Sequence, residues 1–148
     1  MKNPMREPHH FKATLRWTGS AAGGTKSYAG YSREHEVHIE GKTPVTMSAA
    51  GVFRGDDKVH NPEDLLMAAL SGCHFLSYAA ACALGGVEVV SYRDEATGVM
   101  EPIDGVMRFK EVVLHPEVVV APGADLAKAR ALHEAAHRGC FVASSVNF

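Results

Sequence analysis

Thiols are the side chains in this sequence with the most chemistry to offer, and two of its three cysteines stand in distinctive surroundings. Cys73 ends the run NPEDLLMAALSGC, which begins at Asn61, and Cys140 lies in HRGCFVASSV, just past a predicted helix. A partly exposed thiolate is a strong nucleophile, and a second thiol within reach can close a disulfide once the first has been oxidised. That pair is the minimum equipment of a thiol peroxidase; two small buried core residues are the plain alternative. An unperturbed thiol titrates near ~8.5, and burial in mid-helix pushes it higher. A cation must therefore be brought to Cys73, and His74 is the only basic residue within one turn of it. Arg54, in a glycine-flanked connector before the helix, is the candidate, since a guanidinium stays charged at any relevant pH. Lys26 and Arg33 are the other basic residues considered, and a solvated loop charge is the alternative for Arg54. Glu63 could hold the arginine through a two-pronged ion pair. Ten residues separate Glu63 from Cys73, about 15 Å along a continuous helix. Both can serve one site only if the helix bends or the glutamate comes from a partner subunit. Otherwise Glu63 simply suits the positive end of the helix dipole.

A second pattern competes. His133, Glu134 and His137 form a literal HExxH in a segment predicted to be helical, the arrangement in which two histidines one turn apart bind zinc and the glutamate acts as general base. Nine histidines make chance matches cheap, and no third ligand is evident beyond the nearby Cys140. Surface-helix histidines explain the motif as well. Cys82 follows Cys73 by nine residues, roughly 900° of helical rotation, which turns it to the opposite face as a packing residue.

The elements that must position these groups follow from periodicity. Residues 11–17 alternate apolar and polar, as a half-buried strand does. Residues 28–31, 36–40 and 45–49 are shorter strand candidates, and residues 1–10 read as a loose leader. A helix is predicted over residues 62–84, capped by Asn61, opened by Pro62 and stopped at Gly85-Gly86. Its apolar stripe is read as Leu66, Ala69, Cys73, Leu76 and Ala80, but most of its other surface is apolar too, which suits a buried or interfacial helix. Residues 87–100 and 107–120 are predicted as two long strands about a turn at 102–105, and a second helix runs over residues 126–138. The order of strands, long helix, strand pair and helix argues an α+β fold.

The chain is 148 residues long, enough for one domain with a sizeable core. Its formal net charge of −2, with no dense Lys/Arg block, gives nucleic-acid binding no electrostatic support. No unbroken apolar run reaches a membrane span and the N-terminus lacks an apolar signal core, so the cytoplasm is the expected compartment. There, a disulfide is expected to be transient and catalytic rather than structural.

Taken as a set, the NPEDLLMAALSGC run and the later helix followed by GCFVASSV resemble the OsmC/Ohr family, the osmotically inducible protein C and organic hydroperoxide resistance proteins, and more closely the OsmC-like branch. The resemblance covers most of the chain from Trp17 onward. It implies a single OsmC-like domain over residues 1–148, with antiparallel sheets packed around two helices in an intertwined homodimer. It also implies a thiol-dependent peroxidase that reduces organic hydroperoxides. Cys73 would be the attacking cysteine and Cys140 the resolving one, with Glu63 reaching across from the partner subunit to orient the activating arginine. No metal or organic cofactor would be needed, and an external dithiol would reduce the disulfide. The sequence departs from the family in two places. The segment that carries an arginine in the Ohr branch reads Gly23-Gly24-Thr25-Lys26 here, leaving Arg54 as the match to the OsmC branch, and Phe141 follows Cys140 where proline is common. A hydrophobic-ligand carrier on the same fold and a zinc hydrolase through His133, Glu134 and His137 are the alternative functions.

Overall fold

The computed structural model describes residues 4–148, and the chain divides into two compact units, residues 1–64 and 65–148. In the first unit, strands β1 (Thr14–Arg16), β2 (His35–His38) and β3 (Val45–Met47) form an antiparallel sheet in that order. Arg16 and Glu36 face each other across the β1–β2 register and pair at 2.8 Å. Three of the expected strands are thus present but shorter. The fourth, at 28–31, is a turn. Arg33 explains this: its guanidinium donates to the Tyr31 and Tyr28 carbonyls at 2.9 and 2.7 Å and lies over both rings. Carbonyls used in this way are lost to a ladder. The expected leader falls partly outside the described residues; Pro4–Arg6 forms a short 3-10 turn.

Helix α1, Pro62–Gly85, starts at the end of the first unit. The Asn61 side chain accepts from the Asp64 amide at 2.8 Å, and Asp64 returns a weaker bond to the Asn61 amide, so one carboxylate and one carboxamide satisfy two orphan donors. At the other end Gly86 adopts a φ of 72°, and the Val87 amide reaches back to the Cys82 carbonyl at 2.9 Å, the left-handed stop that glycine permits.

In the second unit, β4 (Val89–Asp94) pairs with β7 (Pro116–Val120), and β5 (Thr97–Ile103) pairs with β6 (Val106–Val113), all antiparallel. The two long strands expected here are each broken at the same level. Pro116 has no amide to donate, and the Asp94 side chain takes the His115 amide at 2.6 Å. The hairpin tip is the two-residue turn Asp104-Gly105, whose φ values of 53° and 79° match the twist of the strands it joins. Helix α2, Leu126–Gly139, is capped by Asp125, which accepts from the Lys128 amide at 2.9 Å.

Tyr78, Cys82, Val87, Ala129 and Ala136 make the core of this unit, with Tyr92, Val118, Val120 and Leu132 packed against them. The buried stripe of α1 is therefore Leu70, His74, Tyr78 and Cys82, not the one read from the sequence; Leu76, expected inside, is 67% exposed. A helix apolar on all sides leaves its inward face undecided by periodicity. Here polar tips decide it: Tyr78 Oη donates to the Ala129 carbonyl at 3.0 Å and His74 bonds a histidine of α2. By length and composition alone α1 is apolar enough to cross a membrane, contrary to the sequence expectation, although its tyrosine and histidine are committed to α2.

Two tyrosines give a paired stability test. Tyr78 is hydrogen-bonded, and burial pushes its phenol up to about 12. The Tyr92 hydroxyl is buried without a partner among the described residues. Tyr78→Phe is predicted to cost about 1 kcal/mol, whereas Tyr92→Phe is neutral or stabilising because it removes an unsatisfied group. Urea unfolding of both variants measures this, and equal losses would contradict the assignment.

Candidate active site

Helix α1 carries Cys73 near its middle, half-buried. Helix α2 ends at Gly139, and Cys140 follows in an extended conformation (φ −76°, ψ 111°), with 1% of its surface exposed. The chain then tightens into a 3-10 turn, Ala143–Ser145. Ser144 holds that turn twice, its amide and its hydroxyl both donating to the Cys140 carbonyl at 3.0 and 2.9 Å. The Ala143 amide lies 3.5 Å from Cys140 Sγ. The amides of Phe141 and Val142 are left to point at the Cys73 sulfur.

Both thiols are reduced, and each is within hydrogen-bonding reach of the other. Burial pushes the Cys73 thiol up. It is outweighed by the donors gathered on that sulfur: the Val142 amide, the Cys140 S–H, the Phe141 amide and the hydroxyl of Ser77, which together bring Cys73 below the ordinary thiol range. Cys140 moves the opposite way. Burial raises it, the Ala143 amide only partly offsets this, and the neighbouring Cys73 raises it further by accepting its proton in a hydrogen bond. The two sulfurs are therefore unequal: Cys73 is shifted toward the thiolate and Cys140 toward the protonated thiol. A thiolate with a neutral thiol donating to it can attack an electrophile first and be attacked second.

A cleft of about 210 Å³ opens beside Cys140, walled by Leu70, Val112, Leu114 and Phe148, with His74 and His137 at its edge. It is mostly apolar, and Lys110 at its rim is already paired with Glu101 at 3.2 Å. At this volume the cleft is smaller than the ~300–1,000 Å³ of a drug-sized ligand pocket.

Arg54 and Glu63 belong to the first unit. Arg54 is exposed and sits at a φ of 64° where the 3-10 turn Gly51–Phe53 ends. Its loop is held tightly: the Asp57 carboxylate takes the Gly51 amide at 2.6 Å, and a Cβ at Gly55 would lie 1.6 Å from the Ala49 carbonyl oxygen. Glu63 is half-buried in the first turn of α1. No ion pair joins Arg54 to Glu63 among the described residues of this unit. Arg33 is spent on Tyr28 and Tyr31, as above.

The HExxH histidines are split between two environments. His133 Nδ1 is bonded to His74 Nε2 at 3.1 Å, and its ring stacks on Tyr78 with centroids 3.9 Å apart, while His137 is exposed. Among the described residues no three potential metal ligands are gathered, so the donor set does not fit a zinc centre. The groups that the sequence reading missed are Ser77 and the 141–142 amides. Ser77 is one turn beyond Cys73 and follows from helical spacing. The amides do not, because backbone donors carry no signature in residue type.

Removing one donor tests the balance at Cys73. In Ser77→Ala the apparent pKa of Cys73, followed by ultraviolet thiolate absorbance in a Cys82→Ser background, is predicted to rise, and in Cys140→Ser to stay below the ordinary range because a hydroxyl replaces the thiol donor. An unchanged titration in Ser77→Ala would remove Ser77 from the site.

Comparison with known proteins places this geometry. The family model described as OsmC-like protein matches residues 55–148, a stretch that holds Glu63, Cys73 and Cys140 and starts just after Arg54. YmaD, an uncharacterized protein of Bacillus subtilis, is 25% identical over 142 residues, covering 93% of this chain and 87% of YmaD. An OsmC-like protein of unknown function from Vibrio cholerae has the same fold at a TM-score of 0.85 and 28% identity, covering 95% of each chain. An organic hydroperoxide resistance protein from Elizabethkingia anophelis aligns at a TM-score of 0.70 and 21% identity, covering 95% of this chain and 90% of its own; at that identity the likeness is one of fold. With more than half its length matched by one family and its helices and antiparallel sheets arranged as in that family's solved members, the chain belongs to the OsmC-like protein family.

Proposed function

We propose that this protein is a thiol-dependent peroxidase that reduces organic hydroperoxides. The observation that carries the reading is the meeting of two free thiols, with the 141–142 amides and the Ser77 hydroxyl gathered on the Cys73 sulfur: these donors lower Cys73 toward the thiolate while burial and Cys73 itself raise Cys140. The Cys73 thiolate attacks the terminal oxygen of the hydroperoxide, the O–O bond breaks, and the alkoxide leaves as alcohol on taking a proton. Cys73 becomes a sulfenic acid. The Cys140 sulfur then attacks the Cys73 sulfur, the S–O bond breaks, and water departs with the Cys140 proton. An external dithiol restores both thiols by exchange, with no metal or organic cofactor. The apolar walls of the cleft favour an organic substrate over hydrogen peroxide.

Arg54 is proposed to steady the peroxide and the thiolate, oriented by Glu63 of the partner subunit within a homodimer. The exposed apolar residues of α1 support that assembly: Leu76 and Leu84 are 67% and 92% exposed, and Leu65 and Phe75 are exposed as well. Large apolar side chains left exposed along one helix are typical of an interaction surface. A reducing cytoplasm is the proposed compartment, where a transient bridge can be turned over.

The test is a hydroperoxide challenge of the reduced protein, with one equivalent of cumene hydroperoxide followed by disulfide mapping by mass spectrometry. A Cys73–Cys140 bridge is expected, abolished in Cys73→Ser, with a persistent sulfenic acid in Cys140→Ser. Arg54→Ala is expected to slow the first step about 100–1,000-fold, as loss of one charge-stabilising donor does. Thiols that remain reduced would sink the peroxidase reading and favour the carrier.

A further inference from the structure

The histidine pair beneath the cysteines is not used by the chemistry above. His74 follows Cys73 directly in α1, and His133 lies in α2 seven residues, about two turns, before Cys140, which follows the end of that helix. The rings are nearly coplanar, at 5°, with Nε2 of His74 and Nδ1 of His133 separated by 3.1 Å. Tyr78 lies flat against His133, at an interplanar angle of 7°, and is itself bonded to the α2 backbone. Two helices are thus joined by one imidazole–imidazole hydrogen bond, one residue from Cys73 on α1 and two turns before the end of α2 that carries the chain into Cys140.

We propose that the His74–His133 pair positions Cys140 against Cys73, and that a second proton on the pair releases it. This rests on the reading of the two cysteines as partners in a disulfide. One N–H between two ring nitrogens is compatible with a neutral pair or with a single positive charge. Two imidazolium rings are not, because both facing nitrogens then carry hydrogens and both rings carry charge.

The surroundings offer little to offset that second charge. Toward His74, β4 presents Asp94, but its carboxylate already accepts from Ser71 Oγ and from the His115 amide. His137 of α2 adds repulsion, and Lys110 and Glu111 of β6 border the cleft that His74 also lines. Toward His133 stand the neutral phenol of Tyr78 and the cation Arg130. Burial first pushes both rings below the ordinary histidine range; His137 adds to this at His74, where Asp94 pulls the other way in part, and His74 adds to it at His133. A group whose folded pKa is depressed binds its proton more readily unfolded. The stability it contributes is present above ~6.5, the unfolded value, and is lost as pH falls toward the folded one.

The experiment measures how readily the bridge closes without any hydroperoxide. Reduced protein is equilibrated with glutathione and glutathione disulfide, which exchange with the two thiols to give the protein disulfide and two glutathiones. The effective concentration of Cys140 toward Cys73 is read at about pH 7 and about pH 5. In the wild type it is expected to fall about tenfold or more over that interval. His133→Asn keeps a hydrogen-bond partner for His74 and removes one of the two protonation sites, so its value is expected to stay nearly level. His133→Phe keeps the stack on Tyr78 without the bond, and its value is expected to be low at both pH values. The same profile for wild type and His133→Asn would overturn the proposal, whether or not His133→Phe folds. If glutathione closes the bridge in this pH-dependent way while hydroperoxide leaves the thiols reduced, the positioning role stands and the peroxidase reading falls.

Discussion

Chemistry at this site depends on where α2 stops. Had the helix continued beyond Gly139, the amides of residues 141 and 142 would be bound to carbonyls of the preceding turn, and Cys73 would be a half-buried thiol with a raised pKa. Because the chain turns instead, and Ser144 fixes that turn through the Cys140 carbonyl, two backbone dipoles become available to an anion. They cost no desolvated charge, unlike a buried cation, since an amide freed at a helix end needs an acceptor in any case. The same turn delivers the Cys140 thiol as a further donor. Activation of one sulfur and placement of the other are therefore products of one piece of backbone.

The constraint extends into the core. Cys140 can donate to Cys73 only if α2 keeps its register against α1, and two polar contacts fix that register within the apolar core. Tyr78 bonds the Ala129 carbonyl, and His74 bonds His133. Small residues at the contact, Ala129 and Ala136, let the aromatic rings lie close to the α2 backbone. The outer side of α1 is left with exposed apolar side chains, so the one helix carries Cys73 and the contacts to α2 while Leu76 and Leu84 stay uncovered.

Much of this was legible in the sequence. The caps of α1 and α2, the two helices and the strands about the Asp104-Gly105 turn follow from residue type and period. The two cysteines stood out through their local settings. What could not be read has specific causes. The inward stripe of α1 was misread because alanine and leucine occur on every face and the deciding contacts are made by a tyrosine and two histidines. The strands of the second unit were drawn too long because β-branched runs conceal a break made by Pro116 and the Asp94 side chain. Residue types point to a cation beside Cys73, whereas the donors within its own unit are Ser77, Cys140 and two amides, and amides have no signature in residue type. The HExxH match proved to be two unrelated histidines, one bonded in the helix contact and one exposed at the cleft.

The central claim is that the two thiols are unequal before any substrate arrives. The most direct measurement is competitive alkylation of the reduced protein with substoichiometric iodoacetamide near neutral pH, followed by peptide mapping of the label. The account predicts modification at Cys73 far ahead of Cys140, with Cys82 spared. Preferential labelling of Cys140, or equal labelling of the pair, would contradict it.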